Sequence, residues 1–98
     1  MMLITKTATG NELTIAIEGR LDTTTAPQLE KELEVLSSVK ELVIDMIKLD
    51  YISSAGLRVL LKAQKYMNEH GSMTIKNAVP EVMNIFETTG FNEILHIE

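Results

Sequence analysis

Two adjacent serines, Ser53 and Ser54, are the residues of this chain best placed to do chemistry. They lie in Lys48-Leu49-Asp50-Tyr51-Ile52-Ser53-Ser54-Ala55-Gly56-Leu57, between an apolar run and a segment with helical periodicity. Three chemistries are open to a serine there. A hydroxyl at a helix N-terminus can cap free backbone N–H groups, a contribution of ~1 kcal/mol. Gly56 and Leu57 hold the positions three residues on, so no capping box forms. Modification is the second chemistry: free amides and the helix dipole favour an anion, and a phosphate adds ~1.5–2 negative charges. The third is nucleophilic attack, which needs a base within ~2.6–3.2 Å and a pocket. His70 and His96 are the only imidazoles, and the order of elements places both far from the serines. Asp45 has no nearby His to complete a hydrolase constellation. Gly-x-Ser-x-Gly and phosphate-binding Gly-rich loops are absent.

Other charged residues carry weaker signals. Asp22, in Gly19-Arg20-Leu21-Asp22-Thr23, is open to two readings: a turn residue capping local amides, or part of a binding surface. Arg58 sits one turn into a helix, where a cation opposes the dipole. It reads as a solvated side chain or as a partner for a phosphate or an acidic protein. His70 suits a helix C-terminus, a structural role.

Composition excludes whole classes of function. The 98 residues carry nine Lys+Arg against fourteen Asp+Glu, for a net charge of −5. No basic cluster exists to neutralise phosphates, and two Phe, two Tyr and no Trp supply no base-stacking platform, so no nucleic acid is expected. Cysteine is absent, and two His without a dense acidic cluster predict no metal and no cofactor. No apolar run approaches the ~20 residues of a membrane span, and no basic stretch precedes an apolar one at the N-terminus. One domain over residues 1–98 is expected, with a cytoplasmic location.

The elements that must position these residues follow from hydrophobic periodicity. Strands are predicted over 3–8 and 12–18, where Leu13, Ile15 and Ile17 alternate with polar residues, joined as a hairpin through Gly10-Asn11. A helix is predicted from Thr25 to Leu36, with Ala26, Leu29, Leu33 and Leu36 on one face, and with Thr25 and Gln28 as a capping box around Pro27. Residues 41–46 read as a strand buried on both faces, ending near Met46. The next helix runs from Ser54 to Glu69, with Arg58, Lys62, Lys65 and Glu69 outward and Leu57, Leu60, Leu61, Ala63 and Met67 inward. A strand over 72–77, a helix over 80–89 and a short strand over 93–97 complete the chain. The methionines at 46, 67, 73 and 83 are spaced as core fill. The order predicts an α/β fold: a mixed, mostly parallel sheet with an N-terminal hairpin and about three packed helices.

With these elements placed, Asp50-Tyr51-Ile52-Ser53-Ser54-Ala55-Gly56-Leu57 between strand and helix resembles the signature of the STAS family, the anti-sigma factor antagonists. Gly19-Arg20-Leu21-Asp22 resembles that family's Gly-x-Leu-Asp, and the spacing and element order agree along essentially the whole chain. The resemblance implies a STAS-like fold and a protein without catalysis of its own. Its unphosphorylated form would bind an anti-sigma factor with serine kinase activity and free a sigma factor. Phosphorylation would end that binding, and a serine phosphatase would restore it. The family pattern reads Asp-Ser-Ser/Thr-Gly-Leu, with the acceptor two residues before the glycine. That position is Ser54 here; Ser53 replaces the family's Asp, and Ala55 its second hydroxyl. The partner surface so implied comprises Asp22, Thr23, Ser53, Ser54, Gly56 and Arg58. A STAS subunit of a transporter or sensory complex is the alternative within the family, and a small enzyme with Ser54 as nucleophile the alternative outside it.

Overall fold

Period-two alternation builds the sheet. In a computed structural model that describes residues 2–98, strands β1 (Met2–Thr9) and β2 (Glu12–Leu21) form an antiparallel hairpin. Gly10 turns it at φ 60°, a conformation that costs glycine little. Helix α1 (Ala26–Glu32) follows, then a 3-10 turn over Leu33–Val35. Strand β3 (Glu41–Ile52) lies parallel to β2, helix α2 (Ser54–His70) crosses back, and β4 (Ser72–Lys76) adds parallel to β3. Helix α3 (Pro80–Thr89) and a 3-10 turn over Phe91–Glu93 close the chain. Strand order follows chain order, β1-β2-β3-β4.

Cross-strand register puts the apolar positions in rows. Leu13, Leu42 and Met73 are neighbours, as are Ile15, Ile44 and Ile75, and all six are buried. The helices cover this face and contribute Leu29, Leu57, Leu60, Met67, Val82 and Phe86 to one core. Residues on the opposite face of β3, Val43 and Asp45, are only half-buried. The expectation of a strand buried on both faces is therefore corrected: among the described residues no helix lies behind the sheet, and the fold has two layers. Met46, Met67 and Met73 are core residues, and Met83 packs against the core half-buried.

Several expected boundaries move. Helix α1 ends at Glu32, and its capping box does not form. The Thr25 hydroxyl instead donates to the Arg20 carbonyl (2.7 Å) and accepts the Asp22 N–H (2.8 Å), while the Gln28 amide donates to the Met2 carbonyl (3.4 Å). The last strand is replaced by the 3-10 turn and a single parallel bridge, Ile75 to Ile97. Packing decides this: Leu95 is buried and its N–H bonds the Phe91 carbonyl (2.8 Å), a helical bond that takes its N–H out of any ladder. On α2, Arg58, Lys62, Lys65 and Glu69 are exposed as expected, with Leu57, Leu60, Ala63 and Met67 buried and Leu61 half-buried.

Candidate functional site

The largest departure from the sequence-based expectation builds the site. Strand β3 does not end near Met46 but runs on to Ile52, so residues 47–52 are strand where a loop was expected. Alternation fails there because β3 carries two extra residues relative to β2. Ala16 and Glu18 pair with Asp45 and Lys48, and Gly19 and Arg20 with Leu49 and Tyr51. Such bulges increase twist and re-aim side chains. After them Arg20 opposes Tyr51 and Leu21 opposes Ile52, so the two sequence motifs end side by side.

Ser53 alone connects β3 to α2. Its N–H donates to the Leu21 carbonyl (2.9 Å), and its carbonyl accepts the Leu57 N–H (2.9 Å), the first bond of the helix. Its hydroxyl caps nothing: Oγ is buried and has no hydrogen-bond partner. Ser54, the first helical residue, is exposed. Gly56 is buried one turn below. A Cβ there would lie 2.7 Å from Leu21 Cγ and 2.9 Å from Ile52 Cγ1, so only glycine lets α2 start this close to both strand ends.

Asp22 closes the other side. Its Oδ1 accepts the Thr24 hydroxyl (2.7 Å), the Thr24 N–H (3.0 Å) and the Thr25 N–H (3.2 Å). These bonds, the Thr24 hydroxyl foremost, hold its carboxyl below the usual aspartate range, so it is ionised near neutral pH. The Arg20 guanidinium lies 4.4 Å over the Tyr51 ring, with Nε 3.9 Å from Asp22 Oδ2. Thr23 is exposed at the tip. Thr25 escaped the sequence reading as a site residue. It is buried and clamps this turn, and the run of three threonines after Asp22 was its only trace.

Asp22, Thr23, Ser53, Ser54 and Arg58 thus gather where α1 and α2 begin. Thr23, Ala26, Pro27, Ala55, Arg58 and Val59 line a hollow of about 440 Å³ there. Farther along, Leu33, Leu36, Ala63 and Tyr66 line an apolar hollow of about 210 Å³, absent from the sequence reading. The Lys62–Glu30 ion pair (3.3 Å) borders both. His70 stands at the opposite end of α2 from Ser54, about 24 Å away at 1.5 Å per residue over residues 54–70, with Nδ1 2.8 Å from the Tyr66 carbonyl. Backbone N–H of His96 bonds Gln64, midway along α2. Neither imidazole can serve Ser54 as a base. Among the described residues, no group of three or more acidic or His side chains could hold a metal, and no helix is long and apolar enough to cross a membrane.

Both the sequence and the fold of this chain match known proteins. A profile of the family described as "Mlab, STAS domain" matches residues 4–96. A protein of Bordetella bronchiseptica, provisionally named the anti-sigma factor antagonist BtrV, is 36% identical over 88 residues, 87% of this chain and 76% of that one. The anti-sigma-B factor antagonist of Listeria monocytogenes is 32% identical over 92 residues, 90% of this chain and 80% of its own. Among solved structures, an anti-sigma factor antagonist from Mycobacterium paratuberculosis superposes with a TM-score of 0.88 at 18% identity, covering 99% of this chain and 85% of that one. A sulfate transporter family protein from Wolinella succinogenes shares the fold at a TM-score of 0.79 and 18% identity, over 94% and 80% of the two chains.

Proposed function

This chain belongs to the STAS-domain family, and from that premise we propose that it is an anti-sigma factor antagonist switched by phosphorylation of Ser54. The unmodified protein binds an anti-sigma factor that is also a serine kinase, and so releases a sigma factor. The kinase transfers a phosphoryl group from ATP to Ser54 Oγ, whose proton is lost, and ADP leaves. The phosphoprotein no longer binds, and a serine phosphatase resets it. Residues 1–98 act as one binding domain without catalysis of their own.

One observation carries this reading. The parallel pairing of β2 and β3 places the Asp22 turn and the Ser54 helix start on one surface, with Ser54 exposed. The same geometry favours Ser54 over Ser53 as acceptor, because the Ser53 hydroxyl is buried. Asp22, Thr23 and Arg58 complete the surface, and buried Gly56 and half-buried Ser53 set its shape.

The test is capture of the partner from native lysate, with intact-mass readout of the bait. Ser54→Ala should bind and escape modification. Ser54→Asp should bind ~30-fold or more weakly, since an unpaired charge buried at an interface costs ~2–5 kcal/mol. Equal capture of a kinase by the wild type and Ser54→Asp would place the switch elsewhere. Capture of a transporter or sensory assembly with no kinase would favour the second role open to this family.

A further inference from the structure

Arg58 stands four residues after Ser54 on α2, so the two side chains share a helix face with Cβ atoms ~5–6 Å apart. It is exposed, lines the hollow beside Thr23 and Ala55, and has no carboxylate within ion-pair distance among the described residues. The neighbouring cations are already engaged: Arg20 with Asp22 and the Tyr51 ring, Lys62 with Glu30. A free guanidinium one turn into a helix opposes the dipole, so local structure does not account for it. Anion first and cation four residues later is the favoured orientation of a helical ion pair. Guanidinium also matches phosphate oxygens in a bidentate fork.

We propose that Arg58 is the residue that holds a phosphate on Ser54, pairing with it across one helical turn and so leaving the hollow between α1 and α2. The proposal rests on Ser54 being the phosphorylated residue. Modification then changes the surface twice, adding negative charge at Ser54 and withdrawing the cation that the unmodified protein offers to a partner carboxylate. The other charges around the phosphate are Asp50 on β3, Asp22 and Arg20 beside the turn, Glu30 on α1 and Lys62 on α2. All are present with or without Arg58, so removing Arg58 isolates its share.

Phosphoserine installed at position 54 during translation provides the sample without a kinase. Phosphorus NMR then follows the second ionisation of the phosphate, ordinarily near pH ~6. A helical ion pair of ordinary strength corresponds to ~0.2–0.4 pH units. Arg58→Gln should raise the midpoint by about 0.2–0.4 units, Arg58→Lys should recover part of the shift, and Lys65→Gln should leave it in place. The Arg58 Nε–H signal should also move as the phosphate titrates, which a merely structural arginine would not do. Equal midpoints in the unsubstituted phosphoprotein and Arg58→Gln would overturn the proposal whatever the kinase does. A kinase that leaves Ser54 unmodified would instead overturn the choice of acceptor, and the titration would still decide on the pair.

Discussion

Ser53 and Ser54 are neighbours in the chain and opposites in environment. Residue type alone favours both as helix caps, yet neither hydroxyl caps α2. Ser53 takes the N-cap position through its backbone, while its Oγ is buried without a partner. An unsatisfied buried hydroxyl costs stability, so deleting it reverses the usual sign of an N-cap substitution. Ser53→Ala should leave the melting temperature unchanged or raise it by a few degrees in a calorimetric scan. A serine making its cap bond would lose ~1 kcal/mol, about 4–8 °C in a domain of this size. A drop of that order would show that the hydroxyl is bonded after all.

Glycine decides how the elements meet. Helix α2 begins against the ends of β2 and β3, where Gly56 leaves no room for a methyl group beside Leu21 and Ile52. Helix propensity alone says that Gly56→Ala should stabilise by ~1 kcal/mol. Overpacking against two buried side chains costs ~1–3 kcal/mol, and a rigid strand end gives little. The expected outcome is net destabilisation, with a lower urea midpoint, whereas Lys65→Ala on the exposed face of α2 should be near neutral. Partner binding should weaken with Gly56→Ala, because Ser54 shifts with the helix start. A stabilised Gly56→Ala protein would mean that α2 does not approach the strands this closely.

At the scale of the whole molecule, the switch should change a surface and leave the fold intact. A phosphate at the start of α2 gains ~0.3–1 kcal/mol from the dipole, and no hydroxyl cap is lost because Ser54 makes none. The net charge of −5 adds repulsion that is largely screened at physiological salt. The two forms should therefore melt within about 4–8 °C of each other, the shift for ~1 kcal/mol. A larger fall in calorimetry, with loss of helical circular dichroism, would make the switch a local unfolding event. Ser54 is exposed while Ile15, Ile44 and Ile75 are fully buried, so a phosphate on Ser54 would leave their rows undisturbed.

Local pattern determined most of the elements and the motif pair. Alternation in β2, three- and four-residue spacing in α2 and the Gly10-Asn11 turn are properties of neighbouring residues, so they were legible in the chain. The places of Ser54 at a helix start and of Asp22 just after β2 were legible too, through the types and order of the residues around them. Tertiary structure decided the rest. The run from Ile47 to Ile52 shows no alternation because two bulges break it, and only pairing with β2 makes it a strand. Val43 looks like core from its type, but its burial depends on whether a second layer of helices exists. Thr25, Gln28 and Ser53 carry the residue types of caps and make other bonds or none, because a hydroxyl takes whichever partner the fold brings nearest. Arg58 was legible as a partner for a phosphate or an acidic protein; tertiary structure added that it is exposed beside the hollow while Arg20 and Lys62 are engaged with Asp22 and Glu30.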